Sequence, residues 1–170
     1  TQFMTEKAGG SDVGALETEA EQVGVGADGV ERWKLYGQKW FCSHADADVA
    51  VLLARPRGAA PGTQGLGLFA MPRRLEDGSR NSYRIVRLKD KLGTRKVPTA
   101  ELMLEGTRAE LVSQPVNGTR AIEPLLMVTR MWNSVCAVAG MRRGLALARS
   151  YASRRIAFGQ PLANQPLHAD

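Results

Sequence analysis

The sequence predicts an α+β fold: an antiparallel β-sandwich or barrel over residues 1–115, then one long helix over about 120–157 that belongs to an incomplete helical bundle. Short runs of alternating apolar and polar residues recur through the first part. Each is closed by Gly, Pro, Asp or Asn, the pattern of half-buried strands joined by tight turns. After Gly118 the alternation stops and the composition turns to Leu, Met, Ala, Val and Arg.

The first clear strand is LETEAEQV at 16–23, with Glu17, Glu19 and Glu21 outward, Leu16, Thr18 and Ala20 inward, and a turn at 24–29. WKLYGQKWF (33–41), VAVLLAR (49–55), GLGLFAMP (65–72), YRIVRL (83–88) and AELMLEG (100–106) follow. VAVLLAR is apolar at successive positions and is expected to be central; the others alternate enough to keep one wet face. PRGAAPGTQG at 56–65 reads as a hairpin loop. The stretch from about 123 to 156 is read as one helix uninterrupted by proline, about 50 Å long at 1.5 Å per residue. Its apolar residues occupy most of its circumference, so it expects helical neighbours, and Gly140 and Gly144 leave room for one. Leu125, Leu126, Val128, Trp132, Val135 and Val138 are accordingly expected to be poorly covered within these 170 residues. Gly159 reads as the helix cap and Pro161 as its stop.

With 44% hydrophobic and 24% charged residues the chain has a globular composition, which argues against overall disorder. A net charge of +6 suits nucleic acid, phosphorylated cofactors or an acidic partner, and the sign alone does not choose. Cys42 and Cys136 lie far apart with two histidines in the chain, which disfavours a disulfide framework or a metal site and favours a reducing, cytoplasmic compartment. No apolar run reaches the ~18 residues of a membrane span, and TQFMTEKAGG lacks a signal-peptide layout, so the chain is read as soluble. It opens at Thr1 inside what looks like a strand and closes at His168-Ala169-Asp170 without a helix stop nearby. The sequence is therefore expected to be the central piece of a longer protein.

Two segments carry candidate chemistry. MTEKAGGSDV (4–13) combines hydroxyls, acids and paired glycines; such a loop lets backbone N–H groups and Ser11 approach a phosphate or a flavin edge, although alone GGSD is a common turn. GQKWFCSHADAD (37–48) arrives one hairpin later. Taken alone, Phe41 reads as core packing, His44 as a loop residue, and Arg142, Arg143, Arg149 and Arg154 as a solvated helix face.

Together the two segments resemble the flavin-binding stretches of the acyl-CoA dehydrogenase family. The likeness continues through LKDKLGTR (88–95), Thr129-Arg130 and RRIAFGQPLANQ (154–165), and covers nearly the whole chain. The wording EDGSRNSYRIVRLKDKLGTRKVPTAEL (76–102) is most similar to the AidB-like branch. The resemblance implies a middle β-domain at 1–115 that binds flavin and acyl-CoA, and the start of a C-terminal helical domain at 116–170. It implies FAD as cofactor, with Met4 among the cofactor-binding residues, Thr5 meeting the isoalloxazine and Ser11 near the pyrophosphate and acyl-CoA. Phe41 would wall the flavin, and Ser43 would supply the hydroxyl near flavin N5, in place of the commoner threonine. Arg130 would lie near acyl-CoA, Arg155 would reach FAD phosphates across a subunit boundary, and Gln165 would add a cofactor contact. Ile156, Ala157, Asn164 and Lys7 depart from the family's more frequent residues at their positions.

The implied reaction is α,β-dehydrogenation of an acyl-CoA thioester with hydride passing to flavin N5. No catalytic residue is assigned within the chain: Thr129 occupies an alternative base position but is no base at neutral pH, so a glutamate is expected downstream and the 170 residues alone are expected to be inactive. A homo-oligomer, dimer or tetramer, and an electron-transfer acceptor are the implied partners. The AidB-like wording carries a second reading, a DNA-associated or alkylation-protective flavoprotein with little dehydrogenase activity, its DNA contacts lying outside this chain. A third is a cofactor-free β-domain interaction module.

Overall fold

The computed structural model describes residues 1–112 and 117–169, which fall into two compact units, residues 1–123 and from Pro124 onward. The boundary read at 115/116 lies outside the described residues.

The first unit is built from β1 (Gln2–Phe3), β2 (Glu19–Val25), β3 (Glu31–Ser43), β4 (Val49–Pro56), β5 (Gly67–Pro72), β6 (Tyr83–Leu88) and β7 (Thr99–Leu111). Five strands close a ring: β4 pairs β2, β2 pairs β3, β3 pairs β7, β7 pairs β5, and β5 returns to β4. This is the barrel-like sandwich that the alternation predicts. Its sheet is mixed, because β1 and β2 run parallel to β4 while the other pairings are antiparallel. Strand β4 is central as expected, flanked by β5 on one side and by β1 and β2 on the other. The core gathers Phe3, Trp33, Leu35, Leu52, Phe69 and Leu102, with Trp33 edge-on to Phe69 at 5.4 Å.

Gly37 of β3 sits at φ 147°, and a Cβ there would lie 2.9 Å from Thr18 Cα, on backbone that cannot swing aside. Gly37→Ala is therefore expected to destabilise this unit by about 2–3 kcal/mol, read from the urea midpoint. A midpoint unchanged within error would show that β2 and β3 can separate locally.

The helix α1 (Gly118–Arg154) starts where the first unit anchors it: the Asn117 N–H donates to Gln64 C=O at 3.1 Å and the Gly118 N–H to Leu66 C=O at 2.7 Å. Its 37 residues span about 55 Å. Pro124 lies inside it, contrary to the uninterrupted helix read from the sequence; lacking an N–H, it cannot donate to the Arg120 C=O one turn back. Val128, Trp132, Val135 and Val138 are exposed as expected, whereas Leu125 and Leu126 are half-buried. A Cβ at Gly140 or Gly144 would meet nothing within 4 Å.

The second correction concerns Gly159. It caps no helix: Phe158 (φ 52°) and Gly159 (φ 80°) form the two-residue turn of a hairpin between β8 (Ile156–Ala157) and β9 (Gln160–Pro161). Two successive positive φ values are what a type I′ hairpin turn requires. A short helix α2 (Pro166–Ala169) follows. No helix among the described residues is long and apolar enough to cross a membrane.

Candidate functional site

The first loop folds back on itself. Glu6 and Gly9 exchange backbone hydrogen bonds at 3.1 and 3.0 Å, with Gly9 at φ 126°, and a Cβ on Gly10 would stand 2.8 Å from Thr5 Oγ1. The double glycine thus supplies the turn and room for the Thr5 hydroxyl.

Beneath the loop lies a group that the sequence reading missed. Glu6 is buried and its carboxylate accepts from the Glu17 N–H (2.6 Å), the Thr18 N–H (3.2 Å), the Thr18 hydroxyl and the Lys39 ammonium (2.6 Å). Lys39, fully buried, also donates to the Leu53 C=O at 2.9 Å. Burial alone would raise the Glu6 carboxyl; the Lys39 charge, with hydrogen bonds from Lys39, Thr18 and Glu17, overturns that and holds it below the usual carboxylate range. A signal was present in the sequence. Trp33, Leu35 and Lys39 share one strand phase, so a lysine at the inward phase of β3 demands a buried partner.

The second segment carries a β-bulge. Lys39 pairs with Leu102 and Cys42 with Ala100, so Trp40 and Phe41 together oppose Glu101 alone. Phe41 sits at φ 54° and is 59% exposed, which removes the core-packing alternative. His44, also at positive φ, is an exposed loop residue as read. The Trp40 N–H donates to the Thr5 C=O at 2.8 Å, which seats the first loop beside the bulge. Ser43 is exposed, and its hydroxyl lies 2.7 Å from that of Thr99. Lys91, within the 88–95 stretch, donates to Thr99 Oγ1 at 3.0 Å.

Met4, Thr5, Phe41 and Ser43 are therefore brought to one neighbourhood. Ser11 lies just beyond the Gly9-Gly10 turn, exposed and without a hydrogen bond to the other candidates. The arrangement offers an exposed aromatic side chain with the Thr5 and Ser43 hydroxyls on the segments beside it. The Trp40 indole N–H is buried without a partner among the described residues. These candidates line neither of two clefts found in this unit. The first, about 570 Å³, is lined by Trp33, Arg74 and Arg108 among others; the second, about 440 Å³, by Arg80, Tyr83 and Arg84 among others.

In the second unit Arg130 is exposed on α1, one residue after Thr129, whose hydroxyl donates to the Leu126 C=O at 2.9 Å. Arg155 is exposed at the junction of α1 and the hairpin; its N–H donates to the Tyr151 C=O and its C=O accepts from the Leu162 N–H, each at 2.9 Å. Gln165 spends its amide on the Ala157 C=O at 3.0 Å, bracing that hairpin. Arg142, Arg143, Arg149 and Arg154 are exposed. Among the described residues no group of His, Cys, Asp or Glu could hold a metal ion. Cys42 is buried with its thiol pushed up to about 12, so it is no nucleophile at neutral pH.

Two family models match the sequence: the acyl-CoA dehydrogenase middle domain over residues 1–107 and the acyl-CoA dehydrogenase C-terminal domain over residues 117–170. The chain is 44% identical to acyl-CoA dehydrogenase family member 11 of Caenorhabditis elegans, covering 98% of this chain and 27% of that protein. It is 39% identical to the acyl-CoA dehydrogenase homologue AidB of Escherichia coli, covering 96% of this chain and 28% of that protein. The crystal structure of Caenorhabditis elegans ACDH-11 in complex with C11-CoA superposes with a TM-score of 0.87 at 43% identity, over 99% of this chain and 28% of that one. The chain thus spans little more than a quarter of the length of these relatives, and by these matches it belongs to the acyl-CoA dehydrogenase family.

Proposed function

We propose that this chain contributes the flavin wall and part of the acyl-CoA site of an FAD-dependent acyl-CoA dehydrogenase. One observation carries the reading: the bulge that turns Phe41 outward at φ 54° is joined to the Thr5 loop by the Trp40 N–H bond to the Thr5 C=O. A strained, exposed aromatic beside a glycine-rich hydroxyl loop marks a ligand site more than a packing site. The residues present fit an isoalloxazine, with Phe41 against the ring, Met4 and Thr5 at its edge and Ser43 as hydroxyl donor. The family membership supports the same assignment. Bound FAD supplies the hydride acceptor.

In this reading residues 1–115 act as the middle domain and 116–170 begin the helical domain. Ser11 and Arg130 face the thioester substrate, and Arg155 and Gln165 serve the cofactor, Gln165 by fixing the hairpin after Arg155. Glu6 is committed to Lys39, and Glu101 of β7 to Arg87 and Lys89; in this reading the α-proton is taken by a glutamate outside these 170 residues, as the family resemblance implies. The two electrons taken from the acyl-CoA pass onward to an electron-transfer acceptor, and the protein works as a cytoplasmic homo-oligomer in fatty acid metabolism.

The whole protein is expected to purify with flavin absorption and to reduce a dye in the presence of an acyl-CoA thioester. Ser43→Ala should lower turnover about 10²-fold, the usual effect of removing one donor from a developing charge. A colourless protein that takes up no added FAD would defeat the reading. The 39% identity to AidB favours a second one, a flavoprotein of the AidB-like branch with a DNA-associated role. Flavin content without acyl-CoA turnover, together with salt-sensitive DNA binding, would select it.

A further inference from the structure

The bulge leaves Glu101 of β7 facing two residues of β3, and side chains from β6 and the segment after it close over the same spot. Lys89 Nζ stands 4.0 Å from the Trp40 ring centroid and 4.5 Å from the Phe41 ring centroid, within cation–π range of both. The same ammonium donates to Glu101 Oε1 at 2.7 Å, and its backbone N–H donates to the Thr99 C=O at 2.8 Å, so head and base are both tethered. Arg87 also meets Glu101 Oε1, at 2.9 Å, and lies 6.0 Å from the Trp40 ring. Lys91, two residues on, is committed to Thr94, Val97 and Thr99. Lys89 is thus the cation placed on both bulge rings, beside a residue whose backbone persists at φ 54° only if its surroundings over-determine it.

We propose that Lys89 is a positioning residue that clamps the Trp40-Phe41 bulge against Glu101 and so keeps the Phe41 ring turned outward as the wall of the flavin site. The clamp follows from the geometry of this unit; the wall depends on the flavin reading given above. Lys89 acts through Phe41 and touches no reacting atom.

The test uses the whole apoprotein as wild type, Lys89→Met and Lys89→Arg. Amide hydrogen exchange in a peptide covering 39–44 is expected to run about tenfold faster in Lys89→Met and near the wild-type rate in Lys89→Arg, which keeps the cation. A peptide covering 49–56 should be unchanged and serves as the control for folding. Titration with FAD should then show about tenfold weaker binding for Lys89→Met and an altered flavin absorption spectrum. In a Phe41→Leu background the same substitution should cost little more, because the route through the ring is gone. Unchanged exchange at 39–44 overturns the clamp, and a full additional loss of FAD affinity in the Phe41→Leu background overturns the route through Phe41. A wild-type protein that takes up no FAD overturns the flavin reading and the wall with it, while the exchange rates still decide the clamp.

Discussion

Lys39→Met is expected to destabilise the β-unit by about 3–5 kcal/mol, because it strips the partner from a buried carboxylate and leaves the charge uncompensated. That is a large share of the 5–15 kcal/mol that holds a typical domain together. Glu6→Leu should cost a comparable amount by stranding the Lys39 ammonium. The double substitution should cost much less than the two singles added, since an apolar pair of similar volume needs no compensation. Urea unfolding followed by tryptophan fluorescence reads all three, with buried Trp33 as reporter. Additive losses would mean that the two groups do not act as a pair.

The same pair sets an acid limit. The folded carboxyl of Glu6 lies below its ordinary value of 4.5, so the unfolded chain takes up its proton first as pH falls. The contribution of Glu6 is fully present above about pH 4.5 and is lost as pH drops through the folded pKa. Glu6→Gln should flatten that part of the stability profile, and an unaltered acid slope would assign it to other carboxylates.

The second large effect concerns Arg155. In the whole protein Arg155→Ala is expected to weaken FAD binding by about 1.5–3 kcal/mol, roughly ten- to a hundredfold, the worth of a charge-assisted bond to a phosphate. Gln165→Ala should produce a smaller loss of the same sign, because it releases the hairpin and leaves the guanidinium in place. Both are measured by titrating apoprotein with FAD, with size-exclusion run alongside. A monomer that binds FAD as tightly after Arg155→Ala would remove that arginine from the site.

The strands and the helix were legible because their signals are local: alternation brackets β6 at 83–88, and the change in composition at Gly118 marks the start of α1. What escaped depends on partners distant in sequence. Parallel pairing of β1 and β2 with β4 leaves no mark on any one strand. The bulge shows only as a change of phase: Trp33, Leu35 and Lys39 point inward at odd positions, then Cys42 does so at an even one. Glu6 and Lys39 look like surface residues until 33 positions of chain close between them. Gly159 fits a helix cap and a hairpin turn equally well on sequence, and the positive φ of Phe158 beside it decides between them. The candidate loops came from family likeness, and the cluster of Arg87, Lys89 and Glu101 came from the register of three strands.

Strand β7 pairs with β3, β5 and β6, so it is the last piece of the ring to be synthesised and the one that closes it. On the ribosome, β3 must wait through more than fifty residues of nascent chain before its long partner emerges. Such distant pairing is slow, and until it forms the waiting strands present bare backbone to any neighbour. Until then β3 has β2 alone as a partner, so a translational pause before Thr99 would lengthen the interval in which its other edge stays open.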